Sequence, residues 1–205
     1  PPGLLVALET RSATRRGAGQ RWLAVLDQYL SEETADDVVV CVDDDALLLK
    51  APRFVETLAR VAAAGGAAAA AGRLRGGKPA PPGGVGFGEL VYAAGCGLAV
   101  RARHLEGLRE LAAEVVKGGG PDCLGPLGDD DALVSAHLWK QGVRVTHAPA
   151  GTLVSAANTQ GNSQSVQRRA KGEKWHHQKR AITKVTGWPF VTVGAEGAPS
   201  AEALR

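Results

Sequence analysis

Two carboxylate triplets stand out for what they could do chemically. Asp43-Asp44-Asp45 follows directly on the apolar run Val38-Val39-Val40-Cys41-Val42, and apolar residues resume at once with Ala46-Leu47-Leu48-Leu49. Successive side chains of an extended chain point to opposite faces, so Asp43 and Asp45 share a side while Asp44 points away. Two like charges held that close repel. A divalent cation relieves the repulsion, and hard oxygen donors suit Mg²⁺ or Mn²⁺. The second triplet, Asp129-Asp130-Asp131, opens the apolar stretch Ala132-Leu133-Val134. Plain structural roles account for part of this. An Asp after a strand often caps the next helix, and a helix N-terminus stabilises a nearby carboxylate by about 0.3–1 kcal/mol. Capping explains one or two acids per site but not a triplet at both. A third group is the basic segment Arg168 to Arg180, with six Lys and Arg, one Glu and Trp175-His176-His177 at its centre. It reads either as a solvated basic helix or as a segment that folds over a phosphorylated ligand, with one histidine completing a metal shell.

The elements that must position these groups follow from hydrophobic patterning. Gly3 to Thr10 reads as a buried first strand ending in Glu9-Thr10-Arg11. Gln20 to Leu30 has helical spacing, with Trp22, Val25, Leu26, Tyr29 and Leu30 on one face. The Val38–Val42 strand comes next, making a strand-helix-strand unit of the kind that gives parallel strands. Pro52 suits the first turn of a helix whose inner stripe is Phe54, Leu58 and Val61, and Gly65-Gly66 ends it. Ala67 to Ala71 is read as a narrow buried strand despite alanine's helical preference. Gly76 to Gly88, rich in Gly and Pro, is a long loop and a candidate substrate flap. Leu90 to Val100 is a strand interrupted by Gly95-Cys96-Gly97, where glycine marks a bulge or the close approach of backbone or ligand. No third glycine stands at dinucleotide-fingerprint spacing. Ala102 to Val116 is an amphipathic helix, the second acid triplet opens another that ends at Gly142, and Val143 to His147 is a last strand.

The 205 residues, 44% of them hydrophobic, suit one α/β domain. The expected extent is 1–193, with a basic mobile part at 156–185 and a disordered tail at 194–205. Net charge is only +3, which makes no case for nucleic acid. No run reaches the roughly 18 apolar residues of a membrane span. The opening Pro1-Pro2 without a Met is what an excised domain would have. Cys41 lies within a strand, while Cys96 and Cys123 could pair in an oxidising compartment.

In its order of strand, Asp-Asp-Asp, glycine-bearing strand, helix, Asp-Asp at a helix start, short strand and His, the chain resembles the metal-dependent glycosyltransferases of the GT-A fold. Asp43-Asp44-Asp45 is similar to that family's Asp-x-Asp. Ala94-Gly95-Cys96-Gly97 followed by Leu105 looks like the glycine segment of the fringe-like and galactosyltransferase-like branches. Asp130-Asp131-Ala132 with Leu138 and Gly142 looks like their acidic pair and Leu-x-x-x-Gly corner, with Asp in place of Glu at its first position.

The resemblance implies a single Rossmann-like α/β domain of the GT-A type, with a central, mostly parallel mixed sheet flanked by helices. It implies transfer of a sugar from a nucleotide sugar, UDP-linked by preference, to a hydroxyl of a glycan, protein or small-molecule acceptor, most simply with inversion. Mn²⁺ or Mg²⁺ would be held by Asp43 and Asp45, with His147 by position or His176 or His177 by setting. Asp131, then Asp130, would be the general base. Nucleotide or substrate contacts are expected from Thr10, Arg11, Asp44, Gly95, Gly97, Asp129, Trp175 and Lys179. The compartment implied is the Golgi or secretory lumen for an excised eukaryotic domain, and the cytoplasm otherwise. Two other readings stand beside this one: a two-metal phosphoryl-transfer enzyme, and a catalytically silent nucleotide-sugar-binding domain.

Overall fold

The computed structural model of the chain describes residues 22, 26, 31–42, 47–48, 51–74, 79–80, 89–93, 97–119, 130–148, 153–154 and 173–189. Its elements are β1 (Val38–Cys41), β2 (Leu47–Leu48), α1 (Ala51–Gly65), β3 (Ala67–Ala69), β4 (Gly72–Leu74), β5 (Pro79–Ala80), β6 (Glu89–Ala93), β7 (Leu98–Arg101), α2 (Leu108–Gly119), α3 (Asp130–Lys140), β8 (Val145–His147), β9 (Leu153–Val154) and α4 (Glu173–Thr186). A 3₁₀ turn, Ala102–Leu105, links β7 to α2. Trp22 and Leu26 are helical, as their spacing predicts.

The class is α/β: a mixed sheet with helices on both faces. Strand order is β1-β7-β3-β8-β6-β4-β5, and β2 and β9 form a separate pair. Side-chain alternation assigns each strand residue to one of two cores. Ala68, Ala70 and Ala99 face Phe54, Leu58 and Ala62 of α1. Ala67, Ala69, Leu98, Val100 and Val145 face the other way, onto α2, α3 and α4, with Trp22 in the same cluster. The alanine run is therefore a strand in the middle of the sheet, buried on both faces.

Three expectations change. The sheet is mixed, but among the described neighbouring pairs only β3–β8 is parallel. β7 inserts antiparallel between β1 and β3, so β1, β3 and β8 still run the same way without β1 and β3 touching. The single strand read over Leu90 to Val100 is two, β6 and β7, and Pro79–Ala80 inside the long loop pairs with β4. The helix read over Ala102 to Val116 is broken at Gly107, whose φ of 80° is a conformation that suits glycine. The break lets Leu105 and Leu108 both bury fully from two differently oriented turns.

The C-terminal segment closes the second core. Ile182 and Trp188 are fully buried, and the Trp188 indole N–H donates to the Val91 carbonyl at 2.8 Å. Replacing Trp188 by Ala removes a whole buried ring and should cost about 3–5 kcal/mol. A fall in the urea midpoint of matching size is the check; an unchanged midpoint would mean that the Trp188 ring is not packed in the core.

His137 of α3 is buried beside Gln141, whose Nε2 lies 3.0 Å from the imidazole Nε2. Burial holds its pKa below the ordinary histidine value, against the opposing carbonyls of Glu106 and His104. The native state therefore keeps the neutral ring, while the unfolded chain takes up a proton. That contribution to stability is complete above the unfolded value of about 6.5 and is lost as pH falls from there through the folded value. In His137→Asn the urea midpoint should decline less than in the wild type between about pH 7 and pH 5.

Candidate functional site

The strand directions bring several predicted site positions to one rim of the sheet. β1 ends at Cys41, paired with Leu98 at the start of β7. Beyond Ala69 the Ala70 N–H donates to the Gly97 carbonyl at 2.9 Å, and the Ala148 N–H donates to the Ala69 carbonyl at 2.9 Å. The end of the acid-bearing strand, Gly97 and His147 thus lie along the same edge, on β1, β7 and β8, with β3 between the last two.

His147 is 4% exposed, and its Nε2 lies 3.1 Å from the Ala70 carbonyl. A carbonyl only accepts, so this contact puts the proton on Nε2. A backbone carbonyl holding the distal N–H is the arrangement metal-ligating histidines use, and equally one that simply satisfies a buried ring. Three inter-strand steps separate β1 from β8, roughly 14 Å. One ion cannot bridge that gap unless the chain beyond Cys41 leans across β7 and β3. At up to about 3.5 Å per residue, the four residues from Cys41 to Asp45 could span about that gap, and the two to Asp43 about half of it.

The second triplet opens α3, whose first turn is held by a serine. Asp130 is the first residue of α3, and Asp131, partly exposed, is the second. The Ser135 hydroxyl donates to the Asp131 carbonyl at 2.6 Å and accepts from the Ala93 N–H at 3.0 Å. Ala93 is opposite Gly72 in the β4–β6 ladder, two residues beyond Ala70. The first turn of α3 is therefore fastened to the strand that leads, through residues 94–96, to Gly97. Sequence reasoning missed Ser135. Its only signal was a lone polar residue within Ala132-Leu133-Val134-Ser135-Ala136.

Gly97 has a packing role of its own. A Cβ there would sit 2.5 Å from Phe54 Cζ and 3.2 Å from Leu58 Cδ1. Lys179 is 1% exposed, with its ammonium 4.5 Å from the centre of the Tyr92 ring, a cation–π contact inside the molecule. It therefore belongs with β6 and α4 rather than with the end of β1. Trp175, His176 and His177 are in the first turns of α4. Thr10, Arg11, Asp43, Asp44, Asp45, Gly95 and Asp129 lie outside the described residues. Among the described residues, no group of three or more His, Cys, Asp or Glu side chains could hold a metal ion, and no helix is long and apolar enough to cross a membrane.

No family model, curated protein or solved structure matches the chain.

Gly97→Ala should overpack the α1 face and lower stability by about 1–3 kcal/mol. Adding Phe54→Leu should restore part of that loss, so the double variant is more stable than the two single effects predict. Urea denaturation of the four proteins in the cycle measures the coupling, and strict additivity would refute the contact.

Proposed function

We propose that this chain is a metal-dependent glycosyltransferase of the GT-A type. It moves a sugar from a nucleoside-diphosphate sugar, UDP-linked by preference, onto an acceptor hydroxyl. The observation that carries the reading is the shared edge: β1 ends there two residues before Asp43, Gly97 and His147 lie along it, and α3 is tied by Ser135 to the strand leading to it. The donor set suits a hard divalent ion, with carboxylates from Asp43 and Asp45 and at most a ring from His147, His176 or His177. When bound, such an ion supplies neutralisation of charge on a departing diphosphate.

The chain's own groups have the remaining tasks. Asp131, or Asp130 beside it, takes the proton from the acceptor hydroxyl, which makes the transfer inverting. Ser135 is a positioning residue that fixes the first turn of α3 and with it the Asp131 backbone. Asp44, Asp129, Thr10, Arg11 and Trp175 are assigned to donor and acceptor contacts.

Asp131→Asn should lower transfer by about 10²–10⁴-fold while binding of UDP with Mn²⁺ stays near the wild-type level. Asp45→Asn should lose both. Calorimetric titration of UDP with and without Mn²⁺, run beside a nucleotide-sugar transfer and hydrolysis assay, separates the roles. Wild-type protein that neither binds UDP with Mn²⁺ nor turns over any nucleotide sugar would end this reading. Full activity in Asp131→Asn would end only the base assignment.

A further inference from the structure

The opposite edge of the sheet carries a second constellation, one that the proposed reaction does not use. There α1 ends, β7 ends at Arg101 and β8 begins. An open cleft of about 440 Å³ is lined by Gly65 and Gly66, by Arg101, Arg103 and His104, and by Arg144. Among the described residues no carboxylate lines it. Asp36 approaches Arg101 and Arg103 together, at 3.0 and 2.9 Å, so one carboxylate answers two guanidinium groups. Among the described residues Arg144 pairs with the more distant Glu89, at 3.8 Å. Arg101 has a structural task as well, since its other terminal nitrogen donates to the Ala63 carbonyl and so answers the negative end of α1. Arg103 and Arg144 are different, with side chains 49% and 80% exposed at the mouth of the cleft. A cleft floored by glycine backbone, rimmed by guanidinium forks and short of carboxylates suits an oxyanion with several equivalent oxygens.

We infer that this cleft is a binding site for a small tetrahedral dianion, of the phosphate-monoester or sulfate kind, held by Arg103, Arg144 and His104 and separate from the acidic edge. The site is independent of the transferase reading.

The histidine makes the site report on its occupant. Burial, then Arg103 and Arg101, hold the His104 pKa below its ordinary value, against the pull of Asp36. The groups facing it are those two arginines, Asp36 from the turn before β1, Arg144 from the approach to β8, and His137, whose ring meets the His104 carbonyl. α1 lends no ionisable side chain to the cleft. A dianion seated among them favours the imidazolium, so binding takes up a proton and tightens as pH falls.

The test is a titration of the intact chain with sodium sulfate at constant ionic strength, following the His104 ring Cε1–H signal by NMR, assigned by its loss in His104→Gln. Sulfate does not titrate in this range, so any pH dependence is the protein's own. Inorganic phosphate is the second arm and acetate the control. The expected result is a saturable shift with both sulfate and phosphate and, with sulfate, tighter binding at lower pH. The affinity should weaken about tenfold in Arg103→Gln/Arg144→Gln. Arg144→Gln alone, at a largely exposed position, should move it the same way without disturbing the fold. A linear, unsaturable drift, an undiminished response in the double variant, or acetate matching sulfate would each overturn the site.

Discussion

How closely two helical layers can approach one strand governs this fold. β3 and its continuation, Ala67 to Ala71, lie almost wholly out of solvent, and no side chain there is larger than a methyl. Ala67 and Ala69 are sunk in one core, and Ala68 and Ala70 in the other. Because this central strand is thin, Phe54 and Leu58 of α1 reach to Gly97, just before the neighbouring strand β7. Alanine's intrinsic preference is for helix. Ladders to β7 on one side and β8 on the other, with burial on both faces, outweigh it.

Much of this could be read from the chain because the deciding forces are local or periodic. The Val38–Val42 run, the Phe54, Leu58 and Val61 stripe, and the Gly-bounded alanine run each carry their own pattern. What could not be read depends on partners distant in sequence. Nothing within Leu98–Arg101 says that it will lie between β1 and β3. Nor does anything in Glu89–Leu90 say that β6 will pair with β8 on one edge and β4 on the other. Gly107 falls inside an amphipathic pattern, where a helix tolerates a glycine at modest cost, and nothing local to it announces its positive φ. α4 misled through charge. Its basic residues suggest a solvated face, yet Lys179 buries its stem and settles its ammonium on Tyr92.

The candidate site divides in the same way. Carboxylates at the end of a β-branched run, a glycine in a strand and a histidine closing a short strand were singled out because strand ends are where α/β sheets gather ligands. Once the strand directions are known, the end of β1, Gly97 and His147 fall on one edge. Ser135 was not legible. A helical serine that donates to the carbonyl four residues earlier is common and local. Its acceptance of the Ala93 N–H depends on how α3 docks against β6, which no local pattern encodes. The arginines of the opposite edge were hidden by averaging, since a net charge of +3 says nothing of where the excess sits.

The placement of charge links the two edges. β7 runs from Leu98, beside Cys41, to Arg101, beside Val38, about 10 Å of strand. That is close to the distance over which physiological salt screens exposed charges, about 8 Å. Arg101, Arg103 and Arg144 therefore do little to relieve repulsion among acids that follow the other end of β1. Were those guanidinium groups on the acid edge, they would pair with the aspartates, and a cation would have nothing to neutralise. Kept apart, each edge retains an electrostatic demand of its own. On the two proposals made above, the carboxylates that follow β1 would take a cation, while two arginines sharing Asp36, with a third 3.8 Å from Glu89, would take an anion.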